Sequence, residues 1–173
     1  MAETFWGSLR ESFGILDMMN HGEEKEGCEQ FYVVLLRGAA LSRLGPYQLE
    51  AAIQSAHCQR ALGQAVAPAA LLALYDGLIA LKPSIGALVS RACALAAVLG
   101  PDAALRELNQ LPATATRNYQ AYWAARAHLA LAAGRREEAA SAFERAMALT
   151  DNPAVKAYLK QRQAMAHTNS GAS

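Results

Sequence analysis

Residues 120–153 read QAYWAARAHLALAAGRREEAASAFERAMALTDNP, and the order of large and small side chains in this stretch decides the fold. Trp123, Ala127 and Ala130 recur at intervals of four and three residues, as do Ala139, Phe143 and Ala146. That spacing puts each set on one face of a helix. Gly134 separates the two sets and Pro153 follows them, as helix ends prefer. The small residues mark where two helices cross closely, and the aromatics fill the gaps beside them. A turn this short forces the two helices antiparallel.

The same grammar extends outward. Of the 173 residues 53% are hydrophobic but only 7% aromatic, so the apolar share is mostly Ala and Leu, which lose least on entering a helix. β-branched residues are sparse outside Val33–Val34, which argues against a sheet. Gly45-Pro46, Pro68, Ser84, Pro101, Thr114 or Thr116, and Pro153 offer helix starts, while Gly63, Gly100 and Gly134 offer stops. Between them run the stripes Leu49/Ile53/Ala56, Leu71/Tyr75/Leu78, Ile85/Val89/Ala92/Ala96, Leu105/Leu108/Leu111 and Val155/Leu159. The expected fold is all-α, with about 7–9 helices in stacked antiparallel hairpins.

Three regions follow: 1–44, 45–165 and a frayed tail at 166–173. In the first, Phe5, Leu9, Phe13 and Leu16 suggest an amphipathic helix, and residues 21–30 are polar and turn-like. Trp6 and Met18-Met19 add apolar bulk, which suits a cap on the stack or, as the second choice, packing on another copy of the chain.

Charge and cysteine content exclude several classes. Net charge is +1, and the arginines and lysines of the last third alternate with Glu137, Glu138, Glu144 and Asp151, as on solvated helix faces. Nucleic-acid binders gather a basic excess on one face, and none is evident here. Cys28, Cys58 and Cys93 are odd in number and lie in no metal-ligand spacing, so free thiols in a reducing compartment are expected. The chain opens with no basic-then-apolar leader, and its longest apolar run, Phe31–Leu36, stops at Arg37, far short of a membrane span. A cytoplasmic protein is the expectation.

The window 120–153 resembles a tetratricopeptide repeat, and Ala87–Leu111 looks like a degenerate second copy with Gly100 in its turn. A longer pattern runs through Gly45–His57 (GPYQLEAAIQSAH), Leu74-Tyr75-Asp76, Pro83-Ser84 and Arg91-Ala92. It continues through Tyr119, Ala125-Arg126-Ala127, Gly134-Arg135, Glu138-Ala139 and Phe143-Glu144-Arg145-Ala146. In order and spacing this pattern is similar to the C-terminal helical extension of one group of extracytoplasmic-function (ECF) sigma factors, from about Gly45 to Gln163. The resemblance implies a tetratricopeptide-like right-handed superhelix that works by binding a protein or peptide. RNA polymerase and sigma-factor domains are among the candidate partners. The family's two DNA-reading domains need over a hundred residues, and the 44 preceding the match show neither a helix-turn-helix nor a strand-melting face. The chain also has Val66-Ala67-Pro68 where the family tends to have Thr-Asp-Trp, and Ser90 where it tends to have Asn.

The candidate binding residues are Tyr47, Glu50, Gln54, His57, Tyr75, Arg91, Trp123 and Arg126. The first four are three or four residues apart and form a polar stripe, read here as lining a groove or facing water. Glu50 and His57 on one helix face have the makings of a base and its orienter, or half a metal site, but no second His or Cys completes a metal set and no nucleophile motif is present. No catalysis, metal or cofactor is expected, and the alternatives are a small-molecule groove near His57 and Arg91 or an enzyme of unrecognised type. Arg91, in an apolar helix, calls for a carboxylate, with Asp76 and Glu50 in view, or for an anionic ligand. Trp123 suits core filling, and Arg126 suits partner contact. The chain is expected to be a monomer or weak homodimer without membrane or direct nucleic-acid contact. It should therefore give no sequence-selective gel shift with promoter DNA at about 150 mM salt, where non-specific binding weakens; a selective shift that survives would overturn that reading.

Overall fold

In the computed structural model, described for residues 45–63 and 66–168, the protein is all-helical. The described residues form eight helices: α1 Pro46–Ala61, α2 Pro68–Leu81, α3 Ile85–Leu99, α4 Pro101–Asn109, α5 Ala113–Thr116, α6 Gln120–Ala132, α7 Arg136–Ala148 and α8 Pro153–Thr168. The helix expected around Phe5–Leu16 lies outside the described residues. The chain divides within α3 into two compact units, one ending at Ala94 and one beginning at Leu95.

The first unit is built on an α1–α2 hairpin. Leu49, Ile53 and Ala56 of α1 meet Leu71, Tyr75 and Leu78 of α2, and Ala87 and Ala94 of α3 join the same core. All six hairpin residues were legible from periodicity alone. Lys82, just past α2, reaches Glu50 and the ring of Tyr47 near the start of α1, so the two helices run antiparallel. Gly77 permits their close approach, since a β-carbon there would lie 3.3 Å from Leu49. Ser84 begins α3 as its sequence suggests, its hydroxyl accepting from the Ala87 N–H at 3.1 Å.

In the second unit α6 packs on α7, α7 on α8, and α4 on α6. Ala139, Phe143 and Ala146 of α7 are fully enclosed, as are Ala121, Ala125, Ala127 and Ala130 of α6. The turn between α6 and α7 places Gly134 at φ +75°, a left-handed backbone that side chains resist. Asn152 starts α8 by accepting from Ala154 N–H at 2.9 Å.

Two sequence expectations need correction here. Neither Thr114 nor Thr116 caps α6. Residues 113–116 instead form the short α5, because the Pro112 carbonyl accepts from Thr116 N–H and from its hydroxyl, each at 3.2 Å. That turn consumes the threonine, and α6 starts at Gln120 behind Tyr119, which gives no side-chain cap. At the other end α8 continues to Thr168, past the expected start of the tail at residue 166.

Phe143→Ala removes the largest enclosed side chain and should cost about 3–5 kcal/mol, read as a lowered thermal or urea midpoint. Ser141→Ala, on the exposed side of α7, should stay within about 0.5 kcal/mol of the parent. Equal effects would show that the α6–α7 seam does not govern stability.

Candidate functional site

The polar stripe of α1 does not form one surface. Tyr47 is 73% exposed, with the Lys82 ammonium 5.4 Å from its ring centroid, whereas His57 is 1% exposed. Glu50 and Gln54 are intermediate, and Glu50 pairs with Lys82 at 3.4 Å. Helical geometry explains the split. At about 100° per residue, His57 lies about 40° from Ile53 at the centre of the buried face, while Tyr47 lies about 120° away. The expectation that His57 lines a groove or faces water is therefore wrong.

Burial of His57 is made tolerable by Tyr75, whose hydroxyl lies 3.1 Å from Nε2 across the hairpin. Desolvation, with a smaller push from the Arg60 charge, lowers the His57 pKa to about 4. The imidazole is thus neutral at physiological pH, and the pair holds α1 to α2.

Arg91 takes the first of its two foreseen partners. Its Nε lies 2.5 Å from Asp76 Oδ1, joining α3 to α2, while Glu50 goes to Lys82. The Arg91 side chain is 27% exposed and Asp76 50%, so water screens the pair, and it contributes about 1 kcal/mol or less. A loss of the size seen for a fully buried ion pair does not apply at this position.

Arg126 is likewise committed within the protein. Its guanidinium donates to Asn109 Oδ1 and Glu138 Oε1, each at 2.5 Å, and to the Tyr122 hydroxyl at 3.1 Å. Glu138 also pairs with Arg135 at 3.5 Å, and Arg135 reaches Asp102 at 2.5 Å. One ionic chain thus ties α4, α6 and the start of α7 together. Trp123 stands edge-on to Tyr122, centroids 5.2 Å apart, and donates its indole N–H to the Arg117 carbonyl at 3.1 Å. Arg145 donates to the same carbonyl at 3.2 Å, fixing the loop before α6.

Sequence reasoning passed over His128, which is buried edge-on to Phe143 at 5.2 Å and lies 6.1 Å from Tyr158. Burial first, and the Arg162 charge second, lower its pKa to about 3. Its one sequence signal was its place beside Ala127 in an apolar run. Asn109 and Asp102, and Glu138 as the partner of Arg126, were also missed, because they come from other helices and no local spacing reveals them; Arg135 with Glu138, by contrast, is a local i,i+3 pair. Among the described residues no group of three or more His, Cys, Asp or Glu is placed to hold a metal ion, and no helix is long and apolar enough to cross a membrane.

His57 and His128 both bind protons more readily in the unfolded chain, near pH 6.5, than in the folded one. Stability should be full above that pH and fall as pH drops through it towards the folded values, by about 2 kcal/mol at pH 5 from His57 alone. Urea midpoints at pH 7 and pH 5 measure this, and His57→Gln should remove only the His57 share of the difference, leaving the share due to His128. His57→Ala should cost about 1–3 kcal/mol at pH 7 by removing the buried bond to the Tyr75 hydroxyl and the packing of the ring. A wild-type midpoint that does not move between the two pH values would contradict the neutral buried rings.

No family model matches the chain, and no solved structure matches it. An uncharacterized protein of Rhizobium meliloti (strain 1021) is 34% identical over 120 residues, which make up 69% of this chain and 28% of that protein. The chain therefore corresponds to little more than a quarter of a relative about 430 residues long.

Proposed function

We propose that the chain is a non-catalytic protein-interaction domain, related to the C-terminal extension of ECF sigma factors and tied to transcription through partner binding. The observation that carries this reading is the α6–α7 hairpin. Its seam residues Ala139, Phe143 and Ala146 are fully enclosed and its Gly134 turn is left-handed, at the positions where a tetratricopeptide-like repeat requires them. Repeat hairpins of this kind serve chiefly as rigid surfaces for other macromolecules. The length of the Rhizobium meliloti relative suits a module that works beside other domains. The internal employment of His57 and Arg126 also favours binding by surface over chemistry in a polar pocket.

RNA polymerase and sigma-factor domains are the first partners to try. The purified full chain should bind either bacterial core RNA polymerase or the paired DNA-reading domains of an ECF sigma factor that carries such an extension. Contacts between domains of one chain resemble transient interfaces, so a Kd of about 1–50 μM is expected when the pieces are supplied separately. Biolayer interferometry measures it, with a sigma factor lacking the extension as the control. Absence of saturable binding to both up to about 100 μM would sink the proposal.

A further inference from the structure

Gln120, the first residue of α6, is 7% exposed, yet neither Nε2 nor Oε1 of its carboxamide has a hydrogen-bond partner among the described residues. Buried polar atoms in native proteins are nearly always paired, because stripping water from them without replacement costs more than an ordinary hydrogen bond returns. Helical side chains lean towards the helix N-terminus, so this carboxamide extends over the start of α6. There the first-turn N–H groups have no carbonyl within their own helix. Tyr122 N–H is served by the Tyr119 carbonyl at 3.1 Å, but Tyr119 gives no side-chain cap. Ala121, the next residue, is itself 0% exposed, and its N–H is one of those first-turn donors.

We infer that the N-terminus of α6 holds one ordered water molecule, bound by the Gln120 carboxamide and the Ala121 N–H. The pattern of donors and acceptors selects it. Nε2 and the Ala121 N–H need an acceptor, while Oε1 needs a donor. An anion would suit the helix N-terminus but would leave Oε1 unpaired. A metal cation would find one oxygen ligand and an opposing helix dipole. A peptide amide has the right pattern, but the carboxamide atoms and Ala121 are closed to solvent, so the occupant must be small enough to be enclosed with the fold. Water both donates and accepts, and three hydrogen bonds are the usual number for a buried one. This water takes the place of the cap that Tyr119 does not supply. Trp123 and Arg145 hold the Arg117 carbonyl just upstream and so steady the approach to the site. The inference does not depend on the proposed partner.

A high-resolution crystal structure of the full chain, together with Gln120→Met, tests it. The wild-type map should show a peak about 2.7–3.2 Å from both carboxamide heteroatoms. Met keeps the bulk and removes the polar atoms, so the peak should vanish and the melting temperature should fall by about 2–4 °C, one hydrogen bond's worth in a chain of this size. A wild-type map without the peak would overturn the assignment. So would a Met variant that melts above wild type, which is what relief of a dry, unpaired carboxamide would produce.

Discussion

The second unit depends on how closely α6 and α7 approach each other. Alanines at 121, 125, 127 and 130 on one helix and at 139 and 146 on the other are all shut away from water, and Phe143 fills the space they leave. Alanine contributes little apolar area of its own. Its value here is geometric, because a β-carbon is all that separates the backbones at the crossing points. A seam of this kind tolerates lost volume at Phe143 poorly and added volume at the alanines no better, since overpacking displaces whole helices. Gly134 belongs to the same constraint: without its left-handed backbone, α7 would not return along α6.

Around this seam the polar residues act as fasteners. The chain from Asp102 through Arg135 and Glu138 to Arg126, ending on Asn109 and Tyr122, ties three helices at the edge of the apolar contact. Each link is partly open to water and worth little alone, but a network shares the ordering cost of its side chains. In the first unit, His57 with Tyr75 and Arg91 with Asp76 do similar work. Both fix which face of one helix meets the next. An alanine- and leucine-rich interface specifies that choice weakly, because one apolar side chain substitutes readily for another.

Periodicity made much of this legible in advance. The stripes Leu49/Ile53/Ala56, Leu71/Tyr75/Leu78 and Ala139/Phe143/Ala146 are all buried, because a helix with one neighbour must bury the face that repeats every three or four residues. Ser84, Gly100 and Gly134 also mark helix ends as their chemistry dictates. The misreadings have a common physical origin. His57 was assigned by polarity, when its angle to Ile53 puts it at the edge of the core and Tyr75, eighteen residues on, supplies the partner that makes burial tolerable. Arg126 was assigned to a partner because its carboxylate lies on another helix. The extra turn at 113–116 arose where Pro112 and Thr116 bonded each other before α6 could use the threonine as a cap. Each error concerns a polar group whose hydrogen bonds are met inside the fold, across helices for His57 and Arg126 and within a local turn for Thr116.

That same rule bears on where binding can occur. A side chain whose hydrogen bonds are met inside the fold has little to offer a partner, since new contacts must first displace the old ones. His57 and Arg126 fall in this class, and Arg91 is partly in it through Asp76. Tyr47 differs from them: it is 73% exposed, and its aromatic face carries the Lys82 ammonium, which Glu50 also holds. Exposed tyrosines give a large, stiff contact area for a small loss of side-chain freedom, a property that recurs in protein interfaces. Of the residues that sequence singled out, Tyr47 is therefore the one whose physical state suits recognition. His57 and Arg91 in the first unit, and Trp123 and Arg126 in the second, instead hold the helices of their own unit in register.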